Sequence, residues 1–264
     1  MPKVMVGGVR LYYEERGGGT PIVFIPGLVG LGLQWSFQVE HFAREYRGIT
    51  FDHRGAGQSD RPVQEYSTAL LARDVVGLLD ALGILRVHVV GASTGGAIGQ
   101  VLGLDHANRV LSLTLVSTWA RQDAYFRRLQ EMRKEVLLGL GITAYIRLSS
   151  LWTAGPTQFR DMQEQLEAYE AEQIRQAVPV EVMAARIDAT LGHDRLADLG
   201  RIAAPTIVVV AEDDALVPPH LGEQIAAAVP GARLARMKEG GHNCYRKDAA
   251  TFNRLLGEFL GDIS

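Results

Sequence analysis

The chain reads as an α/β protein, with a mostly parallel central sheet, helices on both faces and an inserted helical cap. Three observations carry that reading. Short apolar, β-branched runs alternate with helix-patterned stretches up to Val116 and again after Pro205, the signature of parallel strands joined by right-handed crossovers. Between Ser117 and Pro205 that alternation gives way to helical periodicity alone. At the centre, Val87 to Gln100, VHVVGASTGGAIGQ, runs from a strand into a small-residue helix through Gly91-Ala92-Ser93-Thr94-Gly95. Such a G-x-S-x-G turn puts its serine on a sharp, strained bend at the carboxyl edge of the sheet, and the flanking glycines keep side chains out of the way.

The elements follow in order. Lys3 to Val6 and Val9 to Glu14 flank Gly7-Gly8, a dipeptide suited to a tight hairpin that opens the sheet. Ile22 to Ile25 is a buried strand, followed by the loop Pro26-Gly27-Leu28-Val29-Gly30 and a helical stretch over Gln34 to Arg47. Ile49 to Asp52 is the next strand and leads into a polar turn, His53 to Ser59. A helix from about Ser67 to Leu82 sets Leu70, Leu71, Val75, Leu78, Leu79 and Leu82 on one face. Val87 to Val90, the helix after Ser93, and Leu111 to Val116 complete this half.

The cap is expected over 119–196, between core segments 1–118 and 197–264. Apolar residues recur at helical spacing as Tyr125, Leu129, Met132, Val136 and Leu140, then Phe159, Met162, Leu166 and Tyr169, then Val180, Met183, Ile187 and Leu191. Gly139, Gly141 and Gly155-Pro156 punctuate them. The charged cluster from Arg121 to Lys134 reads as a solvated helix face rather than an anion site. Trp119, Tyr145 and Trp152 are candidate pocket residues that can equally serve core packing. Thr206 to Val210, Pro219 to Val229, Arg233 to Met237 and Ala249 to Leu260 then read as strand, helix, strand and helix.

With 264 residues, 47% hydrophobic and 22% charged, the chain can bury a sizeable core. A formal net charge of -3 without a long basic run argues against nucleic acid or an anionic membrane surface as partner. No continuous apolar span and no charged start followed by an apolar run are evident, so the expectation is a cytoplasmic protein that meets a small-molecule substrate, with a homo-oligomer left open. Cys244 is the single cysteine and has no internal disulfide partner.

A neutral serine hydroxyl is a poor nucleophile, so Ser93 needs an imidazole to take its proton and an acid to hold that imidazole in the right tautomer. Among seven histidines, His242 follows the last strand in Glu239-Gly240-Gly241-His242, where a loop can reach the carboxyl edge. His53 also follows a strand but lies within the polar turn, and the other five fall on helices, a strand interior or surface connections. For the acid, Asp213 and Asp214 both follow the strand ending at Val210, giving the chain order Ser, Asp, His. The backbone amides of Thr94, at the start of a helix, and of Leu28, in the loop after Pro26-Gly27, are the candidate donors for a developing oxyanion. This chemistry calls for no cofactor and no metal.

Taken together, these pieces resemble the α/β-hydrolase fold, in its esterase and lactonase branch, over essentially the whole chain. The resemblance rests on Gly91 to Gly96, the turn Asp52-x-Arg54-Gly55-x-Gly57-x-Ser59, an Asp four residues before Pro218, and Gly240-Gly241-His242. It implies Asp214 as the acid, because the acid of such proteins is the Asp of the Asp-x-x-x-Pro arrangement. The segment GASTGGAIGQ is similar to 3-oxoadipate enol-lactonases, and Gly241-His242-Asn243-Cys244 with Thr251-Phe252-Asn253 to aminoacrylate hydrolases. Pro26 and Ala92 depart from the family, standing where many members carry His, and His, Asn or Gln. The implied activity is hydrolysis of a small carboxylic ester, lactone, or activated amide or carbamate. Carbon-carbon bond hydrolysis, cofactor-free perhydrolysis and a ligand receptor with negligible turnover use the same scaffold.

Overall fold

A computed structural model describes residues 2–263. Eight strands form one sheet in the order β1-β2-β4-β3-β5-β6-β7-β8: β1 Lys3–Val6, β2 Val9–Arg16, β3 Thr20–Ile25, β4 Tyr46–Phe51, β5 Val87–Ala92, β6 Val110–Val116, β7 Thr206–Ala211 and β8 Arg233–Met237. β1 and β2 pair antiparallel, as do β2 and β4, and every later pairing is parallel. The central strands are continuous apolar runs because both faces are buried. Along β3, Ile22 and Phe24 enter one core with Trp35, Val90, Val209 and Phe252, while Val23 and Ile25 enter the other with Leu78, Val89, Leu113 and Val208. The period of two therefore sorts one unbroken sequence between two helical layers.

Register sets up the functional edge. Ile25 stands opposite Gly91, Ala92 opposite Val116, Val116 opposite Val209, and Ala211 opposite Met237. The carboxyl ends of β3, β5, β6, β7 and β8 therefore finish side by side, and the loops after them share one edge.

The helices on the two faces are α1 Ser36–Phe42, α2 Thr68–Ala81, α3 Thr94–Asp105, α7 Pro219–Ala228 and α9 Ala249–Gly261, with the short α8 Cys244–Lys247 before the last. Ser67 caps α2 by accepting from the Leu70 amide at 3.0 Å. One expected helix is not continuous. The stretch Gln34 to Arg47 is not one helix: a 3-10 turn, Gly32–Trp35, precedes α1, and Tyr46 and Arg47 already belong to β4, paired with Thr20 and Pro21. Strand pairing across the sheet overrides the local helical pattern there.

Between β6 and β7 the chain forms α4 Ala124–Asp161, α5 Gln163–Arg175 and α6 Val180–Leu191. α4 is bent where Gly141 (φ 83°, ψ 179°) and Gly155 (φ 76°, ψ 168°) leave helical geometry. By length and composition Ala124–Pro156 is apolar enough to cross a membrane, a stretch not singled out from the sequence. The break at Gly141 limits the first limb to about 25 Å at 1.5 Å per residue, short of a ~30 Å hydrocarbon core. The expected apolar stripe on this limb is buried only in part: Leu129 is buried, but Tyr125, Met132 and Leu140 are exposed, and the buried face is Phe126, Leu129, Gln130, Arg133 and Leu137. Two of those five, Gln130 and Arg133, are polar, which is uncommon on a face that packs only against an apolar core.

Candidate active site

Ser93 occupies φ 55°, ψ -121°, a left-handed conformation that a non-glycine residue adopts only under constraint. Its amide donates to the Val116 carbonyl at 2.8 Å, and its own carbonyl accepts from Gly96, Ala97 and Thr118 Oγ1. Close approach explains the flanking glycines: a Cβ on Gly91 would sit 2.2 Å from the Gly95 carbonyl oxygen, and one on Gly95 only 2.1 Å from that of Ile25. From Val87 to Leu104 every residue is buried except Ser93, which is half-buried and lines a cavity of about 90 Å³.

His242 lines the same cavity from the loop after β8. Its Nδ1 lies 3.0 Å from Asp214 Oδ2, and both side chains are buried. A carboxylate accepts there, so Nδ1 carries the proton and Nε2 is left as the basic nitrogen. The other oxygen, Asp214 Oδ1, accepts from the amides of Leu216 and Val217, each at 2.9 Å. Asp213 turns elsewhere: it accepts from the amides of Gly240 and Gly241 at 3.2 and 2.7 Å, tying the loop before His242 to the loop after β7.

The loop after β3 passes beside Ser93, where a Cβ on Gly27 would lie 3.8 Å from Ser93 Oγ. Leu28 and Thr94 both line the cavity with Ser93, and Thr94 opens α3. Three contacts brace this loop. The Gly32 amide donates to Asp52 Oδ1 at 2.9 Å, the His53 amide to the Gly30 carbonyl at 2.9 Å, and Arg186 on α6 to the Leu28 carbonyl through Nη2 at 2.6 Å. Arg186 is fully buried and also reaches the Arg54 carbonyl at 2.6 Å and His53 Nδ1 at 3.2 Å. Burial lowers its pKa to about 10, still a cation at neutral pH. The Asp52 to Ser59 turn is thus scaffolding: Asp52 Oδ2 also accepts from the Gln58 amide, and Arg54 forms a buried ion pair with Asp74.

The remaining histidines have other surroundings. His53 is buried beside Arg186, and burial followed by that cation drives its pKa well below the ordinary value. Burial likewise lowers His88 and His193 to about 4, with His88 Nδ1 at 2.8 Å from Ser112 Oγ and His193 Nδ1 at 3.0 Å from Thr68 Oγ1. His220 pairs with Asp123 at the surface. Cys244 is buried and its thiol pushed up to about 12 by burial, which leaves it inert as a nucleophile at neutral pH.

Of the three aromatic candidates, Trp119 and Tyr145 line the cavity. Trp152 instead packs, half-buried, against the cluster of Trp119, Phe126, Leu129, Leu216, Val217 and Leu221, and is not among the lining residues. The expected solvated face from Arg121 to Lys134 also divides. Arg121 and Lys134 form surface pairs with Asp194 and Asp188, whereas Arg133 is 5% exposed and lines the cavity.

A family model described as the alpha/beta hydrolase fold matches residues 20–247. The chain belongs to the alpha/beta-hydrolase family. Within it, the chain is 38% identical over 263 residues to a protein of Azorhizobium caulinodans named "Putative carbamate hydrolase RutD", covering 100% of this chain and 99% of that one. Among solved structures it is similar to the enol-lactonase from Burkholderia xenovorans LB400, with TM-score 0.90, 25% identity and coverage of 98% and 100%. It is also similar to Est816, an N-acyl homoserine lactone degrading enzyme, with TM-score 0.85, 31% identity and coverage of 98% and 100%. This alpha/beta hydrolase is accordingly an enzyme of the serine-hydrolase type, the reaction class of esterases, lactonases and carbamate hydrolases.

Proposed function

We propose that the protein hydrolyses a small carboxylic ester, lactone or carbamate through an acyl-enzyme on Ser93. The observation that carries this reading is the buried His242–Asp214 pair at 3.0 Å opening onto the cavity that holds Ser93 on its strained turn. Ser93 Oγ attacks the carbonyl carbon while its proton passes to His242 Nε2, and the amides of Leu28 and Thr94 receive the negative oxygen. Collapse expels the leaving group, which takes the proton from His242 and leaves the acyl group on Ser93. Water then attacks that ester, gives its proton to His242, and the second collapse returns the proton to Ser93 Oγ as the acid departs. Asp214 stabilises the imidazolium in both halves of the cycle.

The small cavity supports a small acyl group, as do the relatives named for carbamate and lactone substrates. Helices α4 to α6 supply much of the cavity wall and act as the cap that sets substrate choice. Turnover of a short-chain chromogenic ester by the wild-type chain is the test. Steady hydrolysis above the buffer rate is expected, whereas saturable binding without turnover would make the protein a receptor on a hydrolase scaffold.

A further inference from the structure

Arg133 is a cation in an unusual position. It is 5% exposed, it lines the cavity shared with Ser93 and His242, and its guanidinium meets only neutral acceptors. Nη1 donates to Gln130 Oε1 at 2.8 Å, Nη2 to Tyr145 Oη at 2.9 Å and to Ser149 Oγ at 3.1 Å, and Nε to the same Ser149 oxygen at 3.2 Å. The guanidinium also lies 5.1 Å from the Tyr145 ring centroid. Among the described residues no carboxylate forms an ion pair with it. Glu170 lines the cavity as well, but its carboxylate accepts from Ser150 Oγ.

A buried positive charge without a negative partner is costly, and the cost is recovered when an anion arrives. The Gln130, Tyr145 and Ser149 contacts take four of the five guanidinium N–H groups and hold the cation in one orientation, leaving one Nη1 hydrogen to bond a carboxylate oxygen. The acyl portion stays bonded to Ser93 during the second half of the reaction, so it is the portion that needs an enclosed seat.

We propose that Arg133, held by Gln130, Tyr145 and Ser149, forms a subsite for a carboxylate on the acyl portion of the substrate. The physiological substrates are then small acyl compounds with an anionic end. This rests on the hydrolase reading above and deepens it. Glu170 repels such an anion, and Glu170→Gln is expected to raise the preference for it.

The test compares two chromogenic aryl esters of similar length, the hemisuccinate and the neutral valerate, in wild type, Arg133→Gln and Arg133→Lys, with thermal melting of each. The wild type is expected to favour the hemisuccinate. Arg133→Gln should lose roughly 10- to 100-fold in kcat/KM for that ester, the scale of a hydrogen bond to a charged group, and less than about threefold for the valerate. Arg133→Lys should recover part of the loss. Equal kcat/KM for both esters in wild type, or an equal fall for both in Arg133→Gln, overturns the subsite while leaving the hydrolase reading in place. If Arg133→Gln does not fold, inhibition of valerate hydrolysis in wild type decides: succinate should compete and neutral succinamide should not, and equal effects overturn the proposal. Turnover of neither ester would instead overturn the hydrolase reading, and calorimetric binding of succinate but not succinamide would then still judge the subsite by itself.

Discussion

Asp214 receives two backbone amides on one carboxylate oxygen and His242 on the other, so its direction is fixed. Asn at this position must either abandon the Leu216 and Val217 amides or turn its NH2 toward Nδ1, which selects the wrong imidazole tautomer. Asp214→Asn is expected to lower kcat for a chromogenic ester by roughly 10⁴-fold, as in other triads. Asp213→Asn keeps an acceptor for one of the two glycine amides and should cost less than about tenfold, the scale of one neutral hydrogen bond. Steady-state kinetics on the two variants check the order, and a larger loss for Asp213→Asn would contradict the assignment. The two neighbours were indistinguishable by residue type, and only the spacing to Pro218 favoured Asp214 in sequence. The turns that place Ser93 and His242 are legible because glycines mark them. Arg186 is not, because its partners are backbone carbonyls and a ring more than a hundred residues away, and Arg133 is not, because Tyr145 and Ser149 are brought to it only by the bend at Gly141.

In the helices between β6 and β7, apolar periodicity alone does not identify the buried face. On the first limb of α4 the spacing of Tyr125, Leu129, Met132 and Leu140 is helical, yet the buried face runs through Phe126, Leu129, Gln130, Arg133 and Leu137, because the limb faces a cavity whose wall includes the polar side chains of Gln130 and Arg133. The strands of the sheet were easier to read, since both faces are buried and their runs are continuous. Trp152 and Tyr145 test the distinction between packing and pocket. Trp152→Ala should destabilise the chain by about 2 kcal/mol, as expected for a half-buried aromatic, and leave the ratio of kcat/KM between short and bulky esters unchanged. Tyr145→Ala should shift that ratio by about 1 to 3 kcal/mol, the scale of a pocket contact. Thermal melts beside kinetics on both variants separate the two effects, and an unchanged ratio in Tyr145→Ala would remove that residue from substrate choice.

Across the whole molecule, stability should depend on pH through buried neutral histidines. His88 and His193 are held at about 4 by burial, below the ordinary value of about 6.5. Between those limits the unfolded chain binds more protons than the folded one, so stability rises with pH there. It is fully present above about 6.5 and is lost as pH falls toward 4. Thermal midpoints measured from pH 7.5 to 4.5 should therefore fall on acidification, and His193→Gln should flatten the fall; a midpoint independent of pH would contradict this role for burial. The same architecture brings the five strand ends to one edge, where Ser93, His242 and the Leu28 loop meet a single cavity. The most direct measurement of the central claim is the mass of the protein quenched during the first turnover of an activated ester, followed by peptide mapping. One acyl group per chain is expected, on the peptide that carries Ser93, and none on Ser93→Ala, whose turnover should fall about a millionfold. Acylation at another residue, or turnover retained in Ser93→Ala, would contradict a nucleophilic Ser93.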